Sequence, residues 1–235
     1  MTGLRVGGLT PLTTIDYPGE LAAVVFCQGC PWRCRYCHNA PLLGRPQGAP
    51  IPWEAVIKRL ERRRGLLDAV VFSGGEPTAQ AALGGAMAAA RDLGFKIGLH
   101  TAGAYPRRLA RLLPLVDWVG LDIKELPEAY PALTGVPGSG ERAWEALALL
   151  LADGTPHEVR VTVHDALLPP SRLQVLLTRL SDQGVERVAL QRCSDARPLD
   201  PGLGPSASQW PAGIHALAAA AGLRDPRLRP AAPEG

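Results

Sequence analysis

Residues 22–39 read AAVVFCQGCPWRCRYCHN, an apolar run that breaks into a loop carrying Cys27, Cys30, Cys34 and Cys37. Small and β-branched residues fill 22–26 without a polar interruption, the pattern of a strand covered on both faces of its sheet. Disulfides between cysteines this close would enclose very small loops, so a metal centre is the better reading. Three kinds of centre compete. A zinc ion on all four thiolates needs two Cys-x2-Cys knuckles that converge tetrahedrally across a long loop, and here only three residues separate the pairs. A bacterial ferredoxin run has Cys-x2-Cys-x2-Cys and a further Cys followed by Pro, a pattern this loop lacks. The third is a cubane iron–sulfur cluster held by three cysteines.

The strand character returns at residues 69–74, 95–101, 118–124, 158–164 and 187–193. Helices are predicted over 52–63, 79–93, 105–112, 140–152, 171–183 and 208–221. Pro52 before Trp53 and Glu54 suits a helix start, and Gly94 after Leu93 a helix stop. The alanine-rich stretch 79–90 keeps helical spacing and reads as a packed helix, not as low complexity. Six strand–helix units with right-handed crossovers predict an α/β fold: a parallel sheet with outer helices, open or curled into a partial barrel. The 235 residues fall short of the roughly 250 that a full eight-fold barrel takes. One domain over 1–235 is expected, with a loop-rich N-terminal hairpin over 1–20 and a frayed tail over 225–235. The Pro/Gly-rich stretch 43–50 extends the cysteine loop.

Composition excludes several classes. Lys+Arg 25 against Asp+Glu 22 gives a net charge of +3, with no basic stripe interleaved with aromatics, so no nucleic-acid partner is expected. The basic run 59–64 is the solvated end of a helix. No apolar stretch reaches the roughly 20 residues that span a bilayer, and the first residues, MTGLRVGGLT, do not form a signal peptide. No membrane association and a cytoplasmic setting are expected, where thiols stay reduced.

Two further motifs sit at predicted strand ends. Gly74, Gly75 and Glu76 follow the second strand, where glycines let a backbone approach a ligand closely. Asp122 and Lys124 end the fourth. Alone, the first is a turn and the second a surface ion pair. Cys30-x3-Cys34-x2-Cys37, with the aromatic Tyr36 before the last cysteine, resembles the signature of the radical S-adenosylmethionine superfamily. That resemblance covers nearly the whole chain and implies a partial (β/α)6 barrel. It implies a [4Fe–4S] cluster on Cys30, Cys34 and Cys37, whose fourth iron stays open to the amino and carboxylate groups of S-adenosylmethionine. Cys27 is then a spectator in a buried strand, and Cys193 is read the same way. Gly74, Gly75 and Glu76 are expected at the methionine amino group of that cofactor.

Cys37-His38-Asn39 resembles the end of the cluster loop in glycyl-radical-enzyme activases, which implies cofactor contact for Asn39 and a position near the cluster for His38. The stretch 13–19, TTIDYPG, followed by 21–26, resembles the anaerobic ribonucleoside-triphosphate reductase activating proteins. Asp122, Lys124 and Arg160 match activase positions near the cofactor, with Lys124 reaching its carboxylate; Gln191 is a further candidate. His100 and Thr101 either line the site or are structural. The resemblance implies reductive cleavage of S-adenosylmethionine and abstraction of a Cα hydrogen from a glycine of a partner. That partner is expected to be anaerobic ribonucleotide reductase, with flavodoxin or ferredoxin as electron donor. Two other classes stay open: a radical enzyme acting on a small molecule, such as a deazaguanine synthase, and a non-catalytic iron–sulfur or zinc protein that binds a partner.

Overall fold

The computed structural model describes residues 3–44, 51–193, 198–206, 210, 213–223 and 226–230. One eight-stranded sheet runs in sequence order. β1 (Val6–Thr13) pairs antiparallel with β2 (Ala22–Cys27). From β2 onward, β3 (Ala69–Gly74), β4 (Lys96–Thr101), β5 (Trp118–Asp122), β6 (His157–Val163), β7 (Val188–Arg192) and β8 (Arg227–Arg229) are parallel. The connections carry α1 (Trp53–Glu61), α2 (Leu83–Asp92), α3 (Pro106–Leu112), α4 (Tyr130–Thr134), α5 (Ser139–Asp153), α6 (Pro170–Asp182) and α7 (Ile214–Ala220).

Strand alternation sorts the core into two parts. Ala23, Val25, Cys27, Val70, Phe72, Ile97, Leu99, Val119 and Leu121 pack outward in the large cluster shared with the helices. The other parity forms a small inner cluster of Ala22, Val24, Ala69, Val71 and Trp118, with Tyr17 stacked on Trp118 at 5.2 Å. A sheet with apolar packing on both faces and a narrow inner core is a curled one, as the sequence predicts for a partial barrel. Register carries the inner parity around the barrel: Val71 pairs Gly98, Gly98 pairs Trp118, Asp122 pairs Arg160 and Arg160 pairs Ala189. Ala189 in turn pairs Arg227, and Gln191 pairs Arg229. The inner wall is therefore apolar along β2 and β3 and charged from β5 to β8.

Several expectations are corrected. Residues 6–13, expected within a loop-rich N-terminal hairpin, form an eight-residue edge strand of the main sheet, antiparallel to β2. Residues 227–229, inside the stretch expected to fray, form β8 against β7; residues 225 and 231–235 lie outside the described residues. The second helix starts at Leu83, later than residue 79, because Gln80 is extended. Its amide donates to Arg5 O (2.9 Å) and Gln28 O (3.1 Å), and its carbonyl oxygen accepts from Arg5 N (2.8 Å), bracing β1 against the cysteine loop. Of the last predicted helix, residues 208, 209, 211 and 212 lie outside the described residues, as do 45–50 of the expected long loop.

Candidate active site in the barrel

A cavity of about 710 Å³ occupies the barrel, reached by the cysteine loop, the C-terminal ends of β3 to β8 and the 14–19 segment that joins β1 to β2. Ligands of parallel α/β sheets gather at such strand ends.

The cysteine loop is fixed by backbone pairing on several sides. Gly75 N donates to Cys27 O (2.9 Å) and Glu76 N to Gly29 O (2.8 Å), which ties the turn after β3 to the start of the loop. Arg33 N and Arg35 N donate to Thr134 O (2.9 Å) and Leu133 O (3.0 Å) of α4. The far side is held by Arg35, which binds Asp200 Oδ2 at 2.8 Å. Gly74 has φ +111°, and a Cβ there would lie 2.5 Å from Cys27 N. At Gly75 a Cβ would lie 2.4 Å from Gly29 O. These glycines permit close approach of two backbones, the end of β3 and the cysteine loop, besides facing the cavity.

Cys30, Cys34 and Cys37 all line the cavity and none is in a disulfide. Cys27 is fully buried in the outward-facing core and does not reach the cavity. Its parity decides this, since it lies on the same face of β2 as Ala23 and Val25. With Cys27 on the opposite face of its strand from the cavity that Cys30, Cys34 and Cys37 line, the four thiols do not converge as a tetrahedral zinc site needs. Burial pushes the Cys30 thiol up to about 12 and the Cys34 thiol up to about 11. A cationic centre inverts that preference, because a coordinating thiol is deprotonated outright. Beside the cysteines, two buried polar atoms lack protein partners: Trp32 Nε1 and Tyr36 Oη, both on residues that line the cavity. Three thiols on one wall and unsatisfied donors beside them fit a bound cluster and cofactor.

Asp122 ends β5 and Lys124 follows two residues later; both line the cavity. Lys124 Nζ donates to Asp122 Oδ2 at 2.9 Å and stands 5.7 Å from the Tyr36 ring centroid. Burial disfavours its charge, yet Asp122 and the neighbouring Tyr36 and Cys34 outweigh this and hold its pKa well above the ordinary lysine value. Lys124 N donates to the Tyr130 hydroxyl (2.8 Å), and the Tyr130 ring meets Trp32 edge-on at 5.8 Å. The short helix α4, absent from the sequence reading, thus joins the Asp-x-Lys strand end to the cysteine loop.

Gly74, Gly75, His38, Asn39, Arg160 and Gln191 also line the cavity. Glu76 does not. Its carboxylate is buried at 1% exposure and accepts four hydrogen bonds: Oε1 from Thr78 N (3.1 Å), Thr78 Oγ1 (2.6 Å) and Thr101 Oγ1 (2.7 Å), Oε2 from Ala102 N (2.9 Å). Glu76 therefore braces the ends of β3 and β4 through its side chain. Thr101 is spent on the same brace. His100 anchors the 14–19 segment, its Nε2 lying 2.7 Å from Asp16 O. Burial first, then the charge of Arg160, holds the His100 pKa well below the ordinary histidine value, so the neutral ring donates through Nε2. Sequence reasoning missed Trp32, Asp16, Glu158, Arg227 and Arg229. Only the alternation Arg227-x-Arg229 carried a signal, and it needs a strand assignment that a Pro-flanked tripeptide does not provide.

Comparison with known proteins agrees with this geometry. The family model described as "Radical SAM superfamily" matches residues 24–170. A Methanocaldococcus jannaschii protein named for glycyl-radical enzyme activation is 36% identical over 140 residues, covering 58% of this chain and 57% of its own. The pyruvate formate-lyase-activating enzyme of Clostridium pasteurianum is 31% identical over 147 residues, covering 60% of each. The chain thus spans less than two thirds of the length of these relatives. Among solved structures, Streptococcus suis SuiB bound to S-adenosylmethionine shares the fold with TM-score 0.63 at 14% identity, over 88% of this chain and 48% of that one. QueE from Escherichia coli gives TM-score 0.52 at 18% identity, over 82% and 85%. In both, the likeness is one of fold. No helix among the described residues is long and apolar enough to cross a membrane.

Proposed function

Because this chain belongs to the Radical SAM superfamily, we propose that it is an activase that generates a glycyl radical on a partner enzyme. The observation that carries this reading is the meeting of Cys30, Cys34 and Cys37 with Gly74–Gly75 and Asp122–Lys124 on one cavity, while Cys27 faces the opposite side of its strand. Cys30, Cys34 and Cys37 would hold a [4Fe–4S] cluster with one iron left open for S-adenosylmethionine. With S-adenosylmethionine bound, such a cluster would supply the one-electron chemistry needed for hydrogen abstraction from a substrate glycine, while the protein supplies binding and orientation.

The chain's own residues bind and orient. Gly74 and Gly75 present backbone to the methionine end. Asp122 and Lys124 supply a fixed dipole of opposite charges beside the last cysteines, and Arg160 supplies a guanidinium on the next strand. The Tyr36 ring and the Trp32 indole exclude water next to the cysteines. The 14–19 segment, pinned by His100, closes the end of the barrel away from the strand C-termini. Enclosure of this kind keeps a reactive intermediate from side reactions.

The similar proteins named for glycyl-radical enzyme activation and for pyruvate formate-lyase activation support a glycyl radical enzyme as substrate. The stretch 13–19 favours anaerobic ribonucleotide reductase within that class, and flavodoxin or ferredoxin suits as electron donor. The test supplies anaerobically reconstituted, reduced protein and S-adenosylmethionine to the glycyl radical enzymes of the source organism. A doublet electron paramagnetic resonance signal on one of them, erased by Gly→Ala in its radical loop, is expected. Formation of 5′-deoxyadenosine without a signal on any of them overturns the activase reading in favour of a small-molecule substrate.

A further inference from the structure

The charged half of the inner wall holds an arrangement that the cluster and cofactor do not account for. Glu158 on β6 is 9% exposed and receives three guanidinium groups. Its Oε1 accepts from Arg160 Nε (3.2 Å) and Arg229 Nη2 (2.7 Å), and its Oε2 lies 3.4 Å from Arg227 Nη1. One carboxylate thus faces three arginines, all of which line the cavity. A second carboxylate, Asp16, accepts from the Thr13 hydroxyl at 2.6 Å and adds a weaker pull on Arg229. Arg160 is stacked on Trp118, its guanidinium carbon 5.1 Å from the ring centroid, which fixes its plane. Burial first, then the charges of Arg160 and Arg227 against the pull of Glu158, holds the Arg229 pKa below its ordinary value. Like charges gathered on one wall repel unless an anion joins them.

We propose that Arg227 and Arg229 form a carboxylate-binding subsite for the substrate, with Glu158 as the brace that holds the two forks in place. Guanidinium forks match carboxylates in a bidentate fashion, and such pairs are stronger than neutral hydrogen bonds. Arg160 lies on β6, beside Asp122 in register, and serves the cofactor side. Arg227 and Arg229 stand on β8, two strands further around the barrel. They meet Arg160 only through the shared Glu158 carboxylate, and the subsite assigns their cavity-facing sides to the molecule that enters after the cofactor. The carboxylate belongs either to an acidic side chain of a peptide or to a free carboxylic acid. The inference stands without the activase reading, since it concerns binding alone.

The test is titration calorimetry on the full chain with two matched pairs of probes: succinate against succinamide, and a glycine-centred peptide bearing Asp against the same peptide bearing Asn. Carboxylate probes are expected to bind and their amides not to. Arg227→Gln and Arg229→Gln should each weaken the carboxylate probe by about tenfold, the size of a lost charged hydrogen bond. Succinate binding alone assigns a small-molecule source, and binding of the Asp peptide alone a peptide source. Equal affinity for acid and amide, or no binding of either acid, overturns the subsite, and this comparison needs no variant to fold. An equal loss of S-adenosylmethionine affinity in Arg227→Gln, whose side chain is 56% exposed, also overturns it by placing the arginines with the cofactor.

Discussion

Cys27 and Cys30 differ by three positions and by the side of the wall they serve. The strand puts Cys27 among outward core residues and the loop puts Cys30 on the cavity. Replacing Cys27 by Ala is expected to leave iron content and visible spectrum intact after reconstitution, at a stability cost of about 1 kcal/mol for the lost packing, while Cys30→Ala loses the cluster. Iron analysis and unfolding of the two variants check this directly. His100 carries a pH prediction. Unfolded, its imidazole titrates near ~6.5; folded, burial and Arg160 hold it well below that. Between those values the unfolded chain binds a proton that the folded chain does not, so this contribution is fully present above about pH 6.5 and falls away as pH drops below it. Denaturant unfolding at stepped pH should show that loss, and His100→Gln should flatten it. Which parity a strand residue takes was legible once the strands were, and so was the burial of Cys27 in its strand. The Glu76 brace was not, because Gly-Gly-Glu reads the same whether the carboxylate faces a ligand or four donors from its own chain.

At the scale of elements, the turn after β3 and the cysteine loop act as one unit. Gly75→Ala would place a methyl 2.4 Å from Gly29 O, against backbone that cannot swing aside. It is expected to cost about 1–3 kcal/mol as overpacking and to lower iron incorporation with it. Gly85→Ala provides the contrast. That residue lies in α2 with nothing near its Cβ position, and alanine there should stabilise by about 0.5–1 kcal/mol through helix propensity. Thermal unfolding of the pair separates a contact from a generic glycine effect. The strands 22–27 and 69–74 and the helices near 53–61, 106–112 and 170–182 were readable because apolar runs and capping prolines mark them. The edge strand β1 was hidden, since Val6–Thr13 holds two glycines and a proline and shows no continuous apolar run. Helix α4 was hidden for another reason: five residues give too short a period to register. Gln80 made the third mismatch, because its side chain competes for backbone groups of distant segments and delays a helix that propensity favours.

For the whole molecule, the sheet divides labour around its curl. The β2–β3 side supplies the cysteine loop and a tight glycine turn, the β4–β6 side supplies charged groups of fixed partners, and the β7–β8 edge adds arginines. The two ends of the sheet, far apart in strand order, share one cavity, which is why residues from Thr14 to Pro230 contribute to a single site. Six repeating units were evident from the sequence. The seventh parallel strand was not, because Arg227–Arg229 has only three residues and no apolar run. The account rests on one claim, that three cysteines, and not four, hold a cluster with an iron free to bind S-adenosylmethionine. The most direct measurement is the 5′-deoxyadenosine released when anaerobically reconstituted protein, carrying about four irons per chain, is reduced and given S-adenosylmethionine. The account predicts product from the unaltered chain and from Cys27→Ala, and none from Cys34→Ala. Loss of product in Cys27→Ala, or its absence from the fully loaded unaltered chain, would contradict it.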